Sequence, residues 1–273
     1  MRTPDVARSS ALAAEFLETG RCQSCPVIDV HAHFGPFQGI YFPKASPEGM
    51  LEMMDRAGVV TSICSPHRAL LDPRSGNPII VKAAHRYPGR FLAYLSVNPN
   101  YPEILEEDIE ALASRDPAVV GIKAHPGWHK YPLSGQRYAP AFRYANEHGM
   151  PLLSHTWGHS PECGPQEVRK VAEQYPNLPI LMGHSCFGQF EEAIALAREF
   201  PNVYLELTAA YRVSGVIEKM VAEAGSEKVL FGSDLPWFDQ HYGIGCVIFS
   251  HITDQDRRNI LRDNAIRVFG LKG

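Results

Sequence analysis

The sequence predicts a single α/β domain, a (β/α)8 TIM barrel with its chemistry at the carboxyl ends of the strands. Three observations lead there. Eight short β-rich runs recur along the 273 residues. Helical patterns fill the intervals between them, as a parallel barrel requires. No Gly-x-Gly-x-x-Gly follows the first run, which argues against an open dinucleotide-binding sheet.

Taken in order, the N-terminal stretch holds A-L-A-A-E-F-L, a short amphipathic helix, so residues 1–25 are expected as a helical extension to one domain spanning 1–273. The strands are expected at 26–33, 59–65, 90–98, 118–125, 151–156, 179–185, 202–209 and 228–234. They are near-continuous apolar runs, the pattern of parallel strands covered on both faces. Helices are expected at 46–58, 101–115 and 187–200, several opened by Ser or Pro and closed by Gly. Pro151, Pro179 and Asn202 mark strand entries. No low-complexity linker divides the chain.

Composition narrows the function classes. Hydrophobic residues make up 45% and charged residues 21%, as in an ordinary globular domain. A net charge of −4 gives no reason to expect nucleic acid or an anionic membrane as partner. No apolar run is long enough for a transmembrane helix, and the N-terminus lacks the apolar core of a secretory signal. Six cysteines are too sparse for a disulfide scaffold, so a cytoplasmic location is expected. Cys22 and Cys25 form one CxxC, but no second pair completes a zinc clamp.

The chemistry is carried by histidines. In "CPVIDVHAHFGPF" alternation along a strand would put Asp29, His31 and His33 on one face. Of twelve histidines, His125, His155 and His184 also fall at the ends of strands 4, 5 and 6, and Asp234 closes strand 8. Strand ends of a parallel barrel open on one mouth, so these distant residues converge. Burying that many polar groups is unfavourable unless each finds a partner, and a cation supplies one. A metal site is therefore expected. His67, His85, His129, His148, His159, His241 and His251 fall in loops or helices.

With "DVHAH", "GIKAHP", "LLSHTWG", "LMGHSC", "LFGSDLPW" and "ILRDNAIRVFGL" in this order, the chain resembles the amidohydrolase superfamily. The resemblance is to its amidohydrolase-2 branch, related to aminocarboxymuconate semialdehyde decarboxylase. It implies that His31, His33 and His155 hold one divalent metal, with Asp234 as fourth ligand or as the base beside it. It also implies that His184 polarises substrate or shuttles a proton. Imidazole and carboxylate suit zinc first, with manganese or iron(II) as alternatives. Lys123 stands where binuclear members carry a bridging carbamylated lysine; in this branch it would instead be a protonated donor to substrate or an ion-pair partner.

Arg68, Arg212, Trp128, Trp157 and Trp237 follow strand ends and are expected to build the substrate pocket with Lys123. One carboxylate among neutral imidazoles leaves a metal site net positive, so a small anionic substrate is expected. The leading expectation is a metal-dependent hydrolase, with metal-activated water attacking an ester, lactone or amide of a carboxylate-bearing substrate. The alternative is a non-oxidative metal-dependent decarboxylase of a small aromatic or unsaturated acid. A binding barrel with a structural metal is the non-enzymatic reading. The resemblance is compatible with a homodimer.

Overall fold

The computed structural model describes residues 5–272. Eight strands pair in sequence order: β1 (Val27–Phe34), β2 (Val59–Pro66), β3 (Phe91–Ser96), β4 (Val119–Ala124), β5 (Leu152–Trp157), β6 (Ile180–Phe187), β7 (Val203–Glu206) and β8 (Val229–Leu230). All seven pairings are parallel. Helices lie between the strands, giving the expected (β/α)8 barrel. Among the described residues, no helix is long and apolar enough to cross a membrane.

Strand β8 is much shorter than the expected 228–234. Residues beyond Leu230 leave regular strand geometry: Phe231 N turns to Ile260 O (3.0 Å), and Asp234 takes a left-handed backbone, φ 64°. They still close the barrel. Val30 N donates to Phe231 O (3.0 Å), Asp234 N to His31 O (2.7 Å), and His33 N to Leu235 O (2.6 Å). Irregular chain thus completes the sheet at the point where a side chain must be re-aimed.

The interior base of the barrel is packed by Ile28, Val30, Ile63, Tyr94, Leu153 and Leu181. A second apolar layer joins the outer strand faces to the helices. The helix Pro47–Ala57 shows how local sequence sets an element. Ser46 caps it by accepting from Gly49 N, Pro47 opens it, and Gly58 ends it at φ 77°. The expected helix at 101–115 is Pro102–Asp108 followed by a π-helical turn, Ile109–Ala113. The third is trimmed to Phe190–Glu199, because Phe187 completes β6.

Of the expected N-terminal extension, residues 1–4 lie outside the described residues. The rest contains the helices Asp5–Ser9 and Ala11–Thr19. Leu12, Ala13 and Phe16 are buried against the barrel's helices, and Asp254 accepts from Ala11 N (2.9 Å). Cys22 and Cys25 are buried free thiols, and burial pushes them up to about 12 and about 11. Thiols so held are poor nucleophiles at neutral pH.

His129 lies outside the mouth and is a structural histidine. It is buried after β4, donates from Nε2 to Leu70 O (2.8 Å) and accepts at Nδ1 from Tyr138 Oη (2.5 Å). Burial lowers it from 6.5 to about 4. Below pH 6.5 the unfolded chain takes up a proton that the folded chain refuses, so stability falls with pH until about pH 4. For this group the loss between pH 7 and pH 5 is about 2 kcal/mol. Urea unfolding of the protein and of His129→Gln at both pH values checks this. The variant's pH-dependent loss should be smaller by about that amount; an equal loss would show that His129 is not buried neutral.

Candidate metal centre and aromatic cavity

The carboxyl ends of the strands bring together His31, His33, His125, His155, His184 and Asp234, all buried except His155, which is half-buried. Ligand atoms of His31, His33 and Asp234 lie within 4.8 Å of one another. His155 stands outside that trio, with Nδ1 3.0 Å from His184 Nε2.

Asp29 does not join them. A register shift between Asp29 and Ala32 breaks the two-residue alternation of β1. The Asp29 carboxylate therefore turns away from the mouth. It accepts from His31 N (3.0 Å), Ser233 Oγ (2.5 Å) and Gln240 Nε2 (2.6 Å). Burial raises it to about 6 despite these donors. Its role is to tie the Ser233 turn to β1.

Hydrogen bonds on the far side of each ring set which nitrogen faces the mouth. His31 Nδ1 donates to Glu206 Oε2 (2.8 Å), and His33 Nδ1 donates to the Ser65 carbonyl (3.2 Å). Both Nε2 atoms therefore carry lone pairs. His33 Nε2 lies 3.1 Å and His31 Nε2 3.6 Å from Asp234 Oδ1, which is buried without a hydrogen-bond donor. His33 Nε2 and Asp234 Oδ1 face each other as acceptors, and the third, His31 Nε2, is met by the Lys123 ammonium; a divalent metal would satisfy all three, so the donor set fits one. Burial holds His31 and His155 well below 6.5 and lowers His184 to about 4, so each imidazole is neutral at pH 7, the state a ligand needs.

Glu206 was not anticipated. It is one carboxylate within the apolar run "NVYLELTA", and it sits fully buried beneath His31. It accepts from His31 Nδ1, His184 N (3.1 Å), Thr208 N (2.7 Å) and Thr208 Oγ1 (2.6 Å). Gly232 makes the room: a Cβ there would stand 2.2 Å from Glu206 Oε1 and 2.5 Å from His31 Cβ. Carboxylate partners of ligand histidines raise metal affinity. Glu206→Gln is expected to weaken zinc or manganese binding by about 10- to 100-fold in a competition titration against a chromophoric chelator. Unaltered affinity would leave Glu206 a packing residue.

Lys123 is fully buried, and its Nζ donates to His31 Nε2 (2.8 Å). Burial lowers it to about 8, against the pull of Asp234 and Glu206. It stands below the mouth and is not part of the cavity lining.

The backbone is strained where it delivers these groups. His184, Ser185 and Cys186 have φ of 68°, 47° and 49°, and Asp234 has 64°. Such conformations in non-glycine residues gather at functional sites. The left-handed stretch within the last residues of β6 leaves His184 Nδ1 buried and without a partner.

Above the trio opens a cavity of about 390 Å³, lined in part by His125, Trp128, Trp157, Arg212, Trp237 and Phe238. One wall is a run of near-parallel rings. Trp128 stacks on His125 (4.4 Å, 15°), His125 on His155 (4.0 Å, 10°), and His155 faces Trp157 (6.0 Å, 2°). Arg212 projects from the β7 side, its guanidinium over Phe187 (5.7 Å) and Phe238 (5.2 Å). A larger groove of about 630 Å³ lies at the opposite end, beside Arg21, Cys22 and Val59, where β2 begins; no imidazole lines it.

Of the expected pocket residues, Trp128, Trp157, Trp237 and Arg212 line the cavity. Arg68 does not: it lines a neighbouring cavity of about 440 Å³. Its position, two residues beyond the end of β2, turns it outward with the helix His67–Leu71. His67, expected in a loop or helix, opens the helix His67–Leu71 and stands at the mouth. It stacks on His33 (4.6 Å, 18°) and accepts at Nε2 from Trp237 Nε1 (2.8 Å). Its place directly after strand 2 was the available signal, and "GIKAHP" was the signal for His125.

Comparison with known proteins adds the following. The family model described as Amidohydrolase matches residues 28–271. The γ-resorcylate decarboxylase of Rhizobium sp. (strain MTP-10005) is 22% identical over 82% of this chain and 86% of its own. The crystal structure of a 2,6-dihydroxybenzoate decarboxylase with 2,6-dihydroxybenzoate superposes with a TM-score of 0.75, at 18% identity, covering 90% of this chain and 99% of that one. A 5-carboxyvanillate decarboxylase from Novosphingobium aromaticivorans, solved with manganese and 4-hydroxy-3-methoxy-5-nitrobenzoic acid, gives 0.72 at 16% identity, covering 91% and 97%.

Proposed function

Since the chain belongs to the amidohydrolase family, we propose that it is a metal-dependent carboxy-lyase releasing CO2 from a small aromatic acid. The observation that carries this reading is one cavity in which flat rings, the Arg212 guanidinium and the partnerless atoms of Asp234 and His184 meet. Relatives named as decarboxylases support it over the hydrolase first expected from the sequence. The non-enzymatic barrel is the weaker reading, because a structural metal does not call for an open aromatic cavity.

His31, His33 and Asp234 would hold the divalent metal, with His155 as the fourth ligand; manganese, present in the 5-carboxyvanillate decarboxylase structure, stands beside zinc. The metal supplies Lewis acidity to the oxygens of the bound acid. The substrate ring lies along the wall formed by Trp128 and His125. Arg212 pairs with a carboxylate or phenolate oxygen through its fork of donors. The Asp234 carboxylate takes a proton from water, the hydroxide left behind being taken up as bicarbonate by the departing CO2, and passes the proton to the ring carbon that bears the carboxylate. The C–C bond to that carboxylate then breaks. Its electron pair returns to the ring and CO2 departs, so one proton replaces one CO2. His184 Nδ1 faces the substrate oxygens.

Protein purified without chelator and incubated with 2,6-dihydroxybenzoate and 5-carboxyvanillate tests the reading. CO2 release should match acid consumed, stop after chelation and return with manganese or zinc. Inert aromatic acids together with rapid hydrolysis of a carboxylated lactone would overturn it in favour of hydrolysis.

A further inference from the structure

His125 is not one of the three converging metal-site residues, yet its surroundings fix the atom it offers to the cavity. Lys123 points into the barrel, where its Nζ meets His31. Two residues on, His125 points the same way, one layer nearer the mouth. Trp128 (4.4 Å, 15°) and His155 (4.0 Å, 10°) both stack on its ring. Two rings that close cannot share one face, so both faces of His125 are covered and only its edges are left. Its Nδ1 accepts from Trp128 N (3.3 Å), capping the short helix Pro126–His129. That bond occupies the Nδ1 lone pair, so in the neutral ring the proton sits on Nε2. The Cε1–Nδ1 edge lies along the helix: a Cβ on Gly127 would stand 3.9 Å from Cε1 and 4.0 Å from Nδ1. The Nε2–Cδ2 edge is what remains to line the 390 Å³ cavity, and no hydrogen bond among the described residues occupies Nε2. A ring nitrogen that carries the proton has no lone pair for a metal.

Position decides what this donor meets. His125 follows β4 and Asp234 follows β8, and these two strands face each other across the barrel. A ring acid with its carboxylate at the metal trio turns its far edge toward His125. We propose that His125 is a specificity-determining residue that donates from Nε2 to an oxygen on that far edge, so the site selects acids bearing a hydroxyl there. The stack holds the donor in place before binding, and a ligand without the oxygen leaves it unpaired. This inference rests on the reading of the site as one for aromatic acids.

Calorimetric titration of the metal-loaded protein with benzoate, 3-hydroxybenzoate and 4-hydroxybenzoate tests it. In both hydroxy acids the hydroxyl is too far from the carboxylate to share a metal with it. At least one of them should bind about three- to tenfold more tightly than benzoate, the net gain of one hydrogen bond. His125→Phe keeps a ring in the stack and removes the donor. It should abolish that preference, while metal content by elemental analysis stays that of the unaltered protein. His125→Asn keeps an acceptor at the helix start and removes the donor edge. It should have the same effect, and it serves if the phenylalanine variant does not fold. No preference for either hydroxy acid in the unaltered protein, a preference that survives in either variant, or loss of metal from both variants would overturn the proposal. Failure of all three acids to bind would instead overturn the aromatic-acid reading on which it rests.

Discussion

Asp234→Asn is expected to lower turnover of an aromatic acid by about 10²-fold or more, with a much smaller change in KM. The substitution keeps size and shape. It also suits the backbone, since asparagine is among the residues that best tolerate the left-handed conformation found here, φ 64°. The backbone bonds of Asp234 N to His31 O (2.7 Å) and of Trp237 N to Asp234 O (2.7 Å) remain available. What disappears is an oxygen that can accept a proton and pass it on. Steady-state kinetics together with the thermal midpoint separate this from unfolding. Turnover within a few-fold of the unaltered protein would remove Asp234 from the proton path.

His33→Ala should remove most of the metal while the barrel survives. Protein purified without chelator should carry about one equivalent of divalent metal by elemental analysis, following the pattern of a single catalytic site. The ring of His33 contributes one of the three converging acceptor atoms, and only one hydrogen bond, to Ser65 O, ties it to the fold. Losing it leaves His31 and Asp234 as a two-residue remnant of the trio. The expected result is a fall to about a tenth of the original metal content, with far-ultraviolet circular dichroism unchanged. Full occupancy in this variant would show that the metal, if bound, sits elsewhere; two equivalents in the unaltered protein would replace the single-metal account and bring Lys123 into it.

The barrel was legible because parallel strands covered on both faces read as short apolar runs, and all eight expected runs overlap a strand. The mouth was legible because histidines at strand ends have one destination in such a fold. Local departures from regular geometry were not. Alternation failed at Asp29, where a register shift sends the carboxylate to Ser233 and Gln240. Strand length failed at β8, which ends at Leu230 because Phe231 N bonds Ile260 O instead of a strand neighbour. Glu206 was hidden because a lone acid in an apolar run gives no sign of which buried group it serves. Arg68 was displaced because a helix starts at His67, and rotation about that helix, not distance along the chain, decides which cavity a side chain enters.

In the proposed reaction a proton from this site takes the place of CO2 on an aromatic carbon. The most direct measurement is reaction of metal-loaded protein with 2,6-dihydroxybenzoate in D2O, with mass spectrometry of the phenol and of the gas. One CO2 per acid consumed and one deuterium at the vacated ring carbon are expected. Asp234→Asn should slow that incorporation in step with turnover. Retention of the carboxylate carbon in every product, with solvent oxygen entering an acid from a lactone or ester in parallel assays, would contradict it.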